Sequence, residues 1–213
     1  MLGDAQMSRG VYAYYLWQRA QESAGSQAKN NARNFRKGYA FAKSLPRGFK
    51  PARVLELGPG SGWFLRGVRA VFPDAAFFAW DIVPEVGQFM QSEHGFSPLS
   101  GSLNSLPADQ QFDLVIARDV IEHFADAAAE LRQVARLLAR GGLFHFITPN
   151  GHEDLWKFYV ARYRSVEPVR VASSVPGLGF FRQLWYRWKG WHAITLNPRH
   201  NFGHEISGLF RKT

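Results

Sequence analysis

The chain has 213 residues and weighs 24.1 kDa, with apolar residues at 46% and charged residues at 20%. That suits one globular domain of ordinary size, and with no run of 18 or more apolar residues it excludes a membrane-spanning helix. Cysteine is absent, which removes disulfides, zinc–cysteine centres and any cysteine nucleophile, and the net charge is +9. No signal-peptide pattern opens the chain, so the expected location is cytoplasmic. The charge is segregated: residues 1–51 balance at +7, residues 52–150 at −4 and residues 151–213 at +6. Two basic flanks around an acidic centre can attract an anionic surface, or can be solubilising charge.

Apolar spacing predicts a helix over Arg9–Glu22 and a second over Lys29–Leu45, separated by Gly25-Ser26 and stopped by Pro46-Arg47-Gly48. Tyr12, Tyr14, Tyr15 and Trp17 either cover a ligand or pack on the body of the protein. From Ala52 the texture changes. Short apolar runs at Arg53–Leu57, Ala75–Trp80, Phe112–Ala117 and Leu143–Ile147 read as strands, with a short fifth candidate around Leu99. Helical stretches at Phe64–Val71, Pro84–Gln91 and Ala125–Ala139 lie between them. This alternation predicts an α/β fold, a doubly wound, mostly parallel sheet with helices on both faces. Such sheets bind ligands at the carboxyl ends of their strands. Residues 151–213 do not alternate. The expected organisation is an N-terminal helical extension (1–51), a ligand-binding core (52–150) and an aromatic, basic C-terminal segment (151–213).

The strongest local signal is Val54-Leu55-Glu56-Leu57-Gly58-Pro59-Gly60-Ser61-Gly62, between a strand and a helix. Alternate glycines permit a sharp turn and close approach to a ligand. A dinucleotide fingerprint would put its third glycine one place later, at Trp63, and no Gly-Lys-Ser/Thr follows to make a phosphate loop. Glu56, two residues before the first glycine, suits a cationic ligand. Asp81 ends the second strand, where a carboxylate can accept two hydrogen bonds from a ribose diol or can serve the turn before Pro84.

On Val54–Gly62, Phe78–Asp81, Phe112–His123 and Leu138–Asn150 the chain resembles the class I S-adenosylmethionine-dependent methyltransferases, especially the small-molecule group that includes the ubiquinone-biosynthesis enzymes. The resemblance implies a Rossmann-like core and S-adenosylmethionine as cofactor, with S-adenosylhomocysteine as product and no metal. It implies that Gly58, Gly60 and Gly62 pass under the methionine part and that Glu56 orients the loop. By the same resemblance Asp81 holds the ribose and Ile82 packs on the adenine. Ser102 and Leu103 meet the adenine edge, with Ser102 standing where relatives commonly have Asp. Ala117 and Arg118 lie beside the methionine carboxylate and the reacting methyl.

Methyl transfer needs alignment, exclusion of water and, for a hydroxyl acceptor, removal of a proton. His123, just past the fourth strand, is the candidate base. His145, inside the fifth, reads as a core histidine, and nothing fixes His200 or His204 in a pocket. Without an Asn/Asp-Pro-Pro-aromatic motif or a cysteine, DNA adenine and cytosine C5 methylation are disfavoured, and nucleic acid is an unlikely partner. The expected acceptor is a small molecule offering a hydroxyl or amine. Aromatics at helical spacing over 180–191, with cations among them, favour a lipophilic or lipid-linked acceptor, through pocket cover, a homodimer contact or attachment to a membrane surface. Relatives continue with an antiparallel pair of strands that is not evident here, so the sheet is expected to stop at five strands with the fifth at an edge. A degenerate protein that binds cofactor or a partner without turnover is the alternative.

Overall fold

A computed structural model of the chain describes residues 23–107, 109–124, 126–150, 166–173 and 204–212. The predicted helix over Arg9–Glu22, the N-terminal aromatics, the aromatic segment 180–191 and His200 lie outside the described residues. The chain divides into two units, residues 1–106 and 107–213.

In the first unit, helix α1 spans Ala24–Lys43. It starts earlier than expected because Ser23 caps it, its Oγ accepting the Ser26 N–H at 3.2 Å. A good cap contributes about 1 kcal/mol, enough to offset the roughly 1 kcal/mol that a glycine costs in a helix. Gly25-Ser26 is thus the first helical turn, and not a separator. α1 packs on helix α2 (Trp63–Arg69) through two glycines. A Cβ on Gly38 would run into the backbone of Phe64, and one on Gly67 into the backbone of Phe35.

Strands β1 (Arg53–Leu57), β2 (Ala76–Asp81) and β3 (Ser97–Ser100) pair in parallel in the order β3-β2-β1. Leu57 stands opposite Trp80, and Asp81 opposite Ser100. Their carboxyl ends therefore share one edge. Val54, Leu55, Leu57, Leu65, Val68, Met90 and Phe96 form a solvent-free core. Helix α3 (Pro84–His94) crosses from β2 to β3, opened by Pro84 and closed by Gly95 at φ +66°.

In the second unit, β4 (Phe112–Arg118) and β5 (Leu138–Asn150) are parallel and joined by helix α4 (Ala127–Leu137). Asp126 caps α4 by accepting the Ala129 N–H at 2.9 Å. β5 is longer than expected: Leu138 already pairs with Phe112, and the chain bulges through Gly141 (φ +77°) and Gly142 before Leu143 meets Leu114. Strand alternation with helical crossovers makes the fold α/β and Rossmann-like, as expected.

One expectation is corrected. β6 (Val166–Ser173) and β7 (His204–Lys212) form an antiparallel pair in the order β4-β5-β7-β6, so β5 is not an edge. The pair was hidden because Pro168 argues against a strand. In the structure Pro168 sits on the outermost strand beside a register shift, where a missing N–H and a broken ladder are tolerated.

Candidate functional site

The loop after β1 is shaped by three left-handed glycines: Gly58, Gly60 and Gly62 have φ of +58°, +56° and +73°. A side chain at such positions costs roughly 1–2 kcal/mol each. The Gly58 N–H donates to the Trp80 carbonyl at 2.8 Å, tying the loop to the end of β2. The Gly62 N–H donates to the Pro59 carbonyl at 2.9 Å. Glu56 is only 1% exposed, so its carboxyl group is closed off from solvent.

Asp81 ends β2 half-buried, and its Oδ1 accepts the Val83 N–H at 2.9 Å. It thus serves the turn, and a carboxylate has acceptor capacity beyond one such bond. Burial pushes its pKa above the ordinary carboxylate value, against the opposing pull of the Val83 and Ile82 amides. Next to it Ile82 is 40% exposed, a large apolar side chain facing solvent beside a carboxylate. The Trp80 indole donates to the Gly101 carbonyl at 3.1 Å and holds the loop after β3 against β2. In that loop the Ser102 Oγ accepts the Asn104 N–H at 3.2 Å and caps the 3-10 turn Leu103–Ser105. Leu103 is 0% exposed, so neither its side chain nor its backbone faces solvent.

Sequence reasoning missed His94. It is the last residue of α3, next to Gly95, where a histidine reads as a helix-end cation and nothing more. The residue is 7% exposed, and its Nε2 lies 2.9 Å from the Ser61 carbonyl oxygen, which can only accept. Nε2 therefore carries the proton. Nδ1 is buried without a hydrogen-bond partner. The ring stacks on Phe96 at 5.4 Å and meets Trp63 and Phe89 edge-on at 5.7 Å and 6.0 Å. Burial lowers its pKa, and Arg66 and Arg69 add to the effect against the bond to Ser61 and the charge of Glu93. Arg69 lies over the Phe96 ring at 4.8 Å and donates from Nη1 to the His94 carbonyl at 2.6 Å.

In the second unit Arg118 is the last residue of β4, half-buried and paired with Ile147. Asp119 follows with φ +53°, the one described non-glycine residue in the left-handed region, and its N–H donates to the Ile147 carbonyl at 2.8 Å. His123 closes the 3-10 turn Ile121–His123 and is exposed. His145 is buried inside β5, and His204 opens β7. The first unit thus gathers Glu56, the three glycines, Asp81, Ile82, Ser102 and Leu103 where three parallel strands end. Arg118 and His123 stand where β4 ends. Among the described residues there is no cluster of three or more His, Asp or Glu to hold a metal, and no helix long and apolar enough to cross a membrane.

The family described as "Methyltransferase domain" matches residues 28–200. The malonyl-[acyl-carrier protein] O-methyltransferase of Methylococcus capsulatus is 31% identical over 103 residues, which are 46% of this chain and 38% of that protein. The chain spans less than half the length of the curated relatives it matches. Among solved structures, the plantazolicin methyltransferase BpumL in complex with S-adenosylhomocysteine aligns with a TM-score of 0.62 at 11% identity, covering 96% of this chain and 90% of that one. The N-methyltransferase NodS of Bradyrhizobium japonicum aligns at 0.56 and 13% identity, covering 91% and 90%. At these identities the structural likeness is one of fold.

Proposed function

The chain belongs to the methyltransferase-domain family, and from that premise we propose that it transfers a methyl group from S-adenosylmethionine to an oxygen or nitrogen of a small acceptor. The observation that carries this reading is the edge where β1, β2 and β3 end. Three left-handed glycines leave three of the loop's five positions without a side chain, a carboxylate stands at the end of the neighbouring strand, and an exposed isoleucine follows it. These groups fit an adenosyl amino acid. The loop glycines admit its amino-acid end, Asp81 accepts from a diol, and Ile82 offers an apolar face to a flat ring. Ser102 presents a hydroxyl to the edge of that ring.

When bound, the cofactor supplies a methyl on a sulfonium, already activated for in-line displacement. What remains for the protein is alignment and proton management. Asp81 and the loop fix the adenosyl group. Arg118, at the end of β4, offers a guanidinium of the kind that pairs with a carboxylate. His123, in the turn after β4, offers an imidazole that can accept a proton from a hydroxyl. The O-methyltransferase relatives, which by name act on a malonyl group carried on a protein, favour oxygen and add carried acyl groups to the lipophilic and lipid-linked acceptors suggested by 180–191.

Calorimetric titration with S-adenosylhomocysteine tests the reading. Saturable binding is expected, with Asp81→Ala weakening it about 10- to 100-fold, the equivalent of one or two charge-assisted hydrogen bonds. A folded protein that does not bind would overturn it. Labelled-methyl transfer onto phenols, amines and carrier-bound acyl groups then identifies the acceptor.

A further inference from the structure

The loop pattern Gly58–Gly62 would account for cofactor binding without reference to α3, yet a ring from the end of α3 is bonded into that loop. We propose that His94 is a positioning residue for the glycine loop, whose Nε2–H bond to the Ser61 carbonyl locks the Ser61–Gly62 peptide in the orientation that receives the cofactor. This rests on the reading of the loop as the S-adenosylmethionine site.

The Ser61–Gly62 peptide is held through both of its polar groups. Its carbonyl, from Ser61, accepts from His94 at 2.9 Å, and its N–H, from Gly62, donates to Pro59 at 2.9 Å. Both polar groups of one peptide plane are engaged, so turning the plane over breaks two hydrogen bonds at once. A Cβ on Gly62 would stand 2.5 Å from His94 Cδ2, 2.7 Å from Nε2 and 2.8 Å from Met90 Sδ. The third glycine is therefore demanded by its left-handed φ and by the imidazole pressed against it. Only the backbone of a glycine lets the ring come this close.

His94 is itself held. Arg69, at the end of α2, grips its carbonyl at 2.6 Å and lies over Phe96, on which the imidazole stacks. The helix that begins at the loop thus fixes, from its far end, the residue that restrains the loop. The unbonded Nδ1 completes the case. A neutral Nε2–H imidazole meets every buried demand except one weak acceptor. A protonated ring would bury a second donor with no acceptor beside two arginines.

The experiment pairs His94→Phe, which keeps a packed ring but has no donor, with His94→Gln, whose amide restores a donor near Nε2. The first readout is hydrogen exchange at the Gly62 amide in the ligand-free protein. Exchange is expected to speed about 10-fold in His94→Phe, the equivalent of one neutral hydrogen bond, and to return to within about 3-fold of the parent in His94→Gln. The affinity for S-adenosylhomocysteine follows the same order. Parent-like exchange and affinity in His94→Phe would overturn the proposal and leave His94 a packing residue. Should His94→Phe not fold, nitrogen NMR of the parent decides: an Nε2–H tautomer at pH 7 is expected, and an Nδ1–H tautomer or a charged ring would overturn it. If the parent fails to bind S-adenosylhomocysteine, the cofactor reading falls, while exchange at Gly62 still decides the role of His94.

Discussion

The carboxyl group of Asp81 has two opposed demands on it. Its burial raises its pKa, so the folded state holds the proton more tightly than the unfolded chain does. The stability this group contributes is fully present below the ordinary value of 3.8 and is lost as pH rises through the folded value. At neutral pH the ionised group is a standing cost to the fold. Asp81→Asn keeps an Oδ1 for the Val83 amide and removes that charge. It should therefore melt above the parent by thermal scan at pH 7 while binding S-adenosylhomocysteine at least about 10-fold more weakly, since a neutral amide accepts a weaker bond from a diol. His94 has the opposite sign. Its lowered pKa contributes stability above the ordinary imidazole value of 6.5, lost as pH falls through the folded value. The charged groups facing the ring are Arg66 and Arg69 from α2 and Glu93 from α3. Urea midpoints of parent and His94→Gln, measured at pH 7.5 and 5.5, should show the smaller fall in the variant. Asp81 was legible in the sequence because its place, the last residue of a strand two elements after a glycine loop, is a local fact. His94 was not, because its partner Ser61 is 33 residues away and only the packing of α3 brings them together.

Between elements, α1 and α2 approach through glycines at the cost of helix propensity. Read from the sequence alone, Gly38 and Gly67 each weaken a helix by about 1 kcal/mol relative to alanine. In the structure both are contact points where a methyl group would meet backbone, which cannot rotate out of the way. Gly38→Ala and Gly67→Ala should each destabilise by about 1–3 kcal/mol despite alanine's better propensity, lowering Tm by several degrees. The double variant should lose less than the sum, because either methyl alone already prises the helices apart. A thermal series of the three proteins checks this. The helices themselves were legible, since their apolar spacing is local. Their ends were not: Ser23 extends α1 backwards over a Gly-Ser pair, and α3 runs three residues past Gln91 to a glycine cap.

At the scale of the whole chain, the alternation of strand and helix through the glycine loop made the parallel part readable, and the last two strands escaped notice. β7 carries Gly208 and β6 carries Pro168, both poor strand residues by composition, and their pairing spans residues 174–203. Yet β7 supplies buried Leu209 and Phe210, a Phe146–Phe210 stack at 5.7 Å and a Lys212 Nζ bond to the Leu138 carbonyl at 2.7 Å. Burial of the two apolar side chains alone contributes about 3–6 kcal/mol. A chain ended after residue 203 should therefore populate aggregates on size exclusion and lose its cooperative melt. A monomeric, sharply melting product would contradict the importance given to β7.

The order of strands in the second unit also sets a timetable. β7 follows β5 and β6 in the chain but lies between them. During vectorial synthesis β5 emerges from the exit tunnel with an apolar edge and must wait while residues 151–203 are made. β6 emerges with nothing to pair against. For that interval the nascent chain offers two open ladders, each able to recruit the other in the wrong order or a neighbouring nascent chain. The yield of folded protein in the cell should thus depend on elongation rate and on chaperones that shield the waiting edge.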